Sequence, residues 1–140
     1  MWHLMAGWRR LHGTFVFAAA VTSPVVAFAV QTYERDTVWV APPEQASRVN
    51  PLASRTDISA GGAKLFRHRC RGCHGDAGRG SSKAPDLTTS DVQSQSDGSL
   101  FWKISSGNTH EGMPAFSFLP EPQRWQLVMY VRKLAPMSSR

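Results

Sequence analysis

Two thiols and an imidazole stand together in the run Cys70-Arg71-Gly72-Cys73-His74. Cys70 and Cys73 are the two cysteines of the 140-residue chain. They are too close to staple distant parts of a fold, so they mark a local chemical site rather than a disulfide framework. Two thiols three positions apart can each add to one vinyl group of a single rigid macrocycle. The next residue, His74, then stands beneath the metal as an axial ligand. This spacing is the attachment pattern of a c-type haem. Zinc would call for four ligands, commonly in two pairs, and the sequence holds no second cysteine pair. A thioredoxin-like redox pair would sit beside a βαβ pattern, and none is visible.

A ligand for the other face of the iron must come from further along the chain. The downstream candidates are His110, Met113, Met129 and Met137. Met113 lies in Gly112-Met113-Pro114-Ala115-Phe116, a turn-rich segment where a loop could present sulfur. Met129 falls inside an apolar helical pattern, where filling a core is the ordinary role of methionine. Met137 belongs to the tail, and His110 is three residues from Met113. Residue types and spacing alone leave the choice open.

The elements that must position these residues read as helices. The first is predicted over 59–70 with Ser59 as a candidate N-cap, and the second over 98–105 with Asp97 as a candidate cap. The third spans 121–134, where Trp125, Leu127, Val128, Tyr130, Val131 and Leu134 repeat at helical spacing between Pro120, Pro122 and Pro136. Residues 75–97 are rich in Gly, Ser and Asp and carry little to bury. A long loop inside a compact domain needs a reason, and wrapping a cofactor supplies one.

The N-terminus reads as an export signal over 1–29. Arg9 and Arg10 precede an apolar stretch at 14–30, which Pro24 interrupts and which is short for a membrane span. Ala27-Phe28-Ala29 fits a small-x-small cleavage pattern. The alternative is an uncleaved N-terminal anchor. In either case the basic flank keeps the start of the chain in the cytoplasm and the rest outside. Residues 30–57, with Ala41-Pro42-Pro43 and Asn50-Pro51 and no sustained period, read as a linker, in which Val38, Trp39 and Val40 could dock on the domain surface or equally form a loose tether. The domain then covers 58–136, followed by a tail at 137–140. The net charge of +6 is mild. No dense Lys/Arg stripe with interleaved aromatics is present, which excludes a nucleic-acid footprint.

These motifs together resemble class I cytochrome c, of the small monohaem bacterial and cytochrome c6-like kind, over about 58–136. Cys70-Arg71-Gly72-Cys73-His74 followed by Gly75 is similar to that family's haem-binding segment. Lys83-Ala84-Pro85-Asp86-Leu87 resembles the loop whose proline carbonyl accepts a hydrogen bond from the proximal histidine. Gly107 with Met113-Pro114-Ala115-Phe116 resembles the axial methionine loop. Gly62 and Phe66 resemble the first helix, and Leu127 and Tyr130 the last helix packed on it. The resemblance implies an all-α class I cytochrome c fold, with three main helices and loops wrapped around one covalently bound haem c. It implies thioethers from Cys70 and Cys73, axial ligands His74 and Met113, and Pro85 behind His74.

The expected function is that of an electron carrier, not an enzyme. It would pass single electrons between a redox protein donor and acceptor in the periplasm. It would be soluble, or tethered to the outer face of the cytoplasmic membrane if the N-terminal segment is retained. A second reading makes it the haem subunit of a larger membrane or periplasmic oxidoreductase. A third, an enzyme or gas sensor with an open haem position, requires that Met113 not bind iron. Phe101, Trp102, Phe116, Phe118 and Trp125 are candidates for the haem pocket or the core. Arg67, Arg69, Arg71, Arg79 and Lys83 cluster around the haem motif, as a solvated face or as a steering patch for an acidic partner.

Overall fold

The computed structural model describes residues 36, 38–55 and 57–135. The expected export signal or anchor and the tail at 137–140 lie outside them. Among the described residues the chain is helical, with isolated bridges and no strand. No described helix is long and apolar enough to cross a membrane. In chain order the helices are α1 (Pro43–Ala46), α2 (Ser59–Arg69), α3 (Arg71–His74), α4 (Ser90–Gln93), α5 (Asp97–Ser106) and α6 (Glu121–Lys133). The three long ones, α2, α5 and α6, fall within one residue of the bounds expected from sequence, 59–70, 98–105 and 121–134.

The caps differ from expectation. Ile58 occupies the N-cap of α2, and Ser59 is its first helical residue. The Ser59 hydroxyl instead accepts from Lys133 Nζ at the far end of α6. Ser96 caps α5, its Oγ accepting from the Ser99 N–H at 3.1 Å. Asp97 is thereby released to accept from Asn50 Nδ2 at 2.9 Å and to pair with Arg132 at 2.7 Å. A serine in extended backbone reaches its own helix N–H groups, while the longer carboxylate reaches across to other elements.

α2 and α6 cross at Gly62. A Cβ there would lie 2.0 Å from the Gln126 carbonyl oxygen, so the two backbones meet as closely as glycine permits. Beside the crossing, Phe66 packs on Tyr130 with ring centroids 5.1 Å apart. Phe66 joins Phe116, Leu119 and Leu127 in one buried cluster. A second cluster joins α5 to α6 through Leu100, Phe101, Trp125, Val128 and Val131, with Phe101 stacked on Trp125 at 4.0 Å. Full burial of each such side chain contributes about 1.5–3 kcal/mol. Phe101 and Trp125 therefore serve the core. Trp102 pairs with Trp39 at 6.3 Å, and Phe118 stays exposed.

Residues 38–55, read from sequence as linker, are packed on the domain. Gly98 lets the carbonyls of Gln45, Ala46 and Arg48 close on the start of α5, where a Cβ would come within 2.3 Å of the first. Ser96 Oγ donates to the Ala46 carbonyl at 2.6 Å. Arg48 lies over the Phe101 ring at 4.4 Å and pairs with Glu121 at 2.6 Å. These contacts are polar or single-residue, so they leave no periodic signature. The segment behaves as a strap across α5 rather than as a loose tether.

Candidate functional site

Between α2, α5, α6 and the loops that join them lies a cavity of about 690 Å³. Its size falls within the roughly 300–1,000 Å³ of cofactor-sized sites. Cys70, at the α2–α3 junction, and Cys73, within α3, line it together with His74 at the end of α3. Met113 and Phe116 enter from the loop after α5, and Leu100, Ile104, Leu127 and Val131 supply apolar wall. The fold thus brings Cys70, Cys73, His74, Pro85 and Met113 to one cavity.

His74 is buried, and its Nδ1 lies 3.1 Å from the Pro85 carbonyl oxygen. A carbonyl can only accept, so Nδ1 carries the proton and the Nε2 lone pair remains for a metal. Burial holds the His74 pKa below the usual imidazole value, with the Pro85 hydrogen bond opposing. The ring is therefore neutral at pH 7, the state a metal ligand requires. Burial, aided by Cys73, pushes the Cys70 thiol up to about 11, whereas Cys73 is exposed.

The Pro85 carbonyl is delivered by the loop between α3 and α4. Gly80 N–H donates to the His74 carbonyl at 2.9 Å, and Ser81 Oγ to the Cys73 carbonyl at 2.7 Å. Gly80 has φ +78, and a Cβ on it would come within 2.6–2.8 Å of the backbone of residues 84–86. That contact brings Pro85 under His74. The glycine-rich composition of the loop was readable, but this role for Gly80 was not, because it depends on a backbone approach between residues that look alike in sequence.

The rival ligands lie elsewhere. The His110 side chain is 93% exposed, bonds Glu111 and does not line the cavity. Met129 is on α6, where its sulfur accepts from Asn50 Nδ2 at 3.3 Å. Met137 lies outside the described residues. Trp39, from the strap, and Asp36, just before it, also line the cavity. Trp39 was expected from sequence only as a residue that could dock on the domain surface, and Asp36 was not singled out, since it sits in no motif.

Residues 59–131 match the family model described as cytochrome c oxidase, cbb3-type, subunit III. The match spans just over half of the chain. The chain belongs to that family. It carries a class I c-type cytochrome domain with the all-α fold of that class. No curated protein and no solved structure matches the chain. Domains of this family bind haem c and serve electron transfer with redox partners. The residues of this cytochrome domain fit such a group: two thiols, a neutral imidazole with one free nitrogen, a soft thioether and an apolar wall around one cavity.

Proposed function

We propose that the chain is a monohaem electron carrier. In this reading Cys70 and Cys73 hold the haem through thioethers, and His74 and Met113 are the axial ligands. The observation that carries it is the convergence of these four side chains on one cavity. Bound haem supplies the one-electron couple; the protein supplies ligands, orientation and a dry environment. His74, held by the Pro85 carbonyl, offers a basic and oriented nitrogen. Thioether sulfur favours the ferrous state and raises the potential relative to a second imidazole. With both axial sites taken by the protein, no position is left for a substrate, which favours a carrier over an enzyme. Export across the cytoplasmic membrane, with cleavage after Ala29 or retention as an anchor, belongs to the same proposal and rests on the N-terminal pattern.

The test is a spectrum of the protein matured with haem-attachment machinery. A c-type pyridine haemochrome and a ferric near-infrared sulfur-to-iron band, lost in Met113→Ala, are expected. Absence of covalent haem would overturn the reading. A haemochrome without the sulfur band would overturn Met113 as ligand.

The family's description favours a second reading, in which this domain is the haem subunit of a membrane oxidase. Co-purification of oxidase subunits with the full chain would favour it. A monomer that exchanges electrons freely would favour the diffusing carrier.

A further inference from the structure

Asp36 precedes the family match, yet its carboxylate reaches the loop that carries Met113. Oδ1 accepts from the backbone N–H of Val38 at 2.9 Å and of Trp39 at 3.2 Å, folding the strap back on itself. Oδ2 accepts from Asn108 Nδ2 at 2.8 Å. Asn108 in turn exchanges both backbone hydrogen bonds with Met113, each at 2.9 Å. Asp36 is thus one residue removed from the sulfur-bearing position. The strap itself is held at its other end by Asn50 on Asp97 and Arg48 on Glu121. Near Asp36, Trp39 lies against Trp102, with Lys103 Nζ 4.7 Å from the Trp39 ring centre.

The loop needs such a tie. Residues 109–112 are exposed and polar, and a segment with few buried contacts opens at low cost. Opening would carry Met113 away from the cavity. We propose that Asp36 is a positioning residue, which through Asn108 holds the Met113 loop closed and so protects the sixth ligand of the iron. This rests on the reading of Met113 as that ligand. It assigns a role in the site to a segment outside the matched domain.

The test uses the full haem-loaded chain, with carbon monoxide as the probe of the ferrous form and the near-infrared band as the probe of the ferric form. Carbon monoxide binds once Met113 has left, so its rate reports loop opening. Asp36→Ala removes the tie, and Asn108→Asp sets carboxylate against carboxylate. Both should bind carbon monoxide about tenfold faster than wild type. The double replacement Asp36→Asn with Asn108→Asp exchanges donor and acceptor and should restore the wild-type rate. Lowered melting temperatures with unchanged rates would overturn the positioning role, as would fast rates that the double replacement leaves fast. A wild-type protein with no sulfur band would overturn the Met113 reading itself, a result separable from the others because it needs no variant.

Discussion

Two adjacent glycines of α2 should respond oppositely to the same methyl group. Gly61 and Gly62 both face α6, and alanine at either gains about 0.5–1 kcal/mol of helix propensity over glycine. At Gly61 the nearest atom is the Gln126 Oε1, 2.6 Å from the new Cβ. It is the tip of a flexible side chain and can swing aside. At Gly62 the new Cβ meets the Gln126 carbonyl oxygen at 2.0 Å and its carbon at 2.8 Å. These are backbone atoms of a helix, so α6 itself must retreat by about 1 Å to reach the 3.0 Å at which the tightest real contacts stand. Retreat pulls Tyr130 from Phe66 and Leu127 from its cluster. Overpacking of this kind costs about 3 kcal/mol, the upper end of the usual range. The propensity gain is common to both, so the gap between the variants is about 3 kcal/mol, or roughly 12–24 °C in melting temperature for a domain of this size. Thermal unfolding of the haem-loaded ferric proteins, followed by far-ultraviolet circular dichroism, measures it. Melting temperatures for Gly61→Ala and Gly62→Ala within about 4 °C of each other would refute the argument from the crossing.

Gly80→Ala should cost about 2–4 kcal/mol from left-handed backbone strain and the clash with residues 84–86. It should also raise the reduction potential in a redox titration, because a displaced Pro85 carbonyl makes His74 a weaker donor to ferric iron. Glu121 is held below the usual carboxylate range by the Trp125 indole N–H first, with Arg48 adding to it. A depressed carboxylate contributes stability above its unfolded value of 4.5, and that contribution is lost as the pH falls through its folded value. The difference in urea midpoint between wild type and Glu121→Gln should therefore be full above the unfolded value of 4.5 and fade as the pH is lowered below it. Arg69, Arg79 and Lys83 are exposed at the cavity rim. If they steer an acidic partner, transfer to it slows as ionic strength rises and the Debye length shortens; a rate unchanged by salt, as measured by stopped flow, refutes steering.

The helical framework and the cavity's principal side chains were legible because each leaves a local mark. α6 announces itself by its apolar period and by flanking prolines, and Cys70, Cys73 and His74 by a spacing that haem geometry demands. Met113 was separable from His110 and Met129 only by resemblance, since all three side chains can bind iron. What stayed hidden depends on approaches between backbones. Gly98 reads as a helix residue, and nothing near it says that three carbonyls of residues 45–48 will close upon it. Asp36 and Asn108 are 72 positions apart and polar, a pairing that no hydrophobic period reports. The strap therefore read as a linker although it covers α5.

The α2–α6 crossing also bears on timing. The domain's first long helix finds its partner in its last, Ser59 meeting Lys133 across 74 positions. A ribosome releases α2 well before α6 exists, at about 5–20 residues per second. For some seconds the helix that leads into Cys70 and Cys73 has no surface to pack against, and contacts of such long separation are slow to form even afterwards. Nascent chain thus passes through an interval in which both thiols hang on an unclasped helix. Cofactor delivered in that interval meets an open chain. Delivered later, it must enter past a finished clasp.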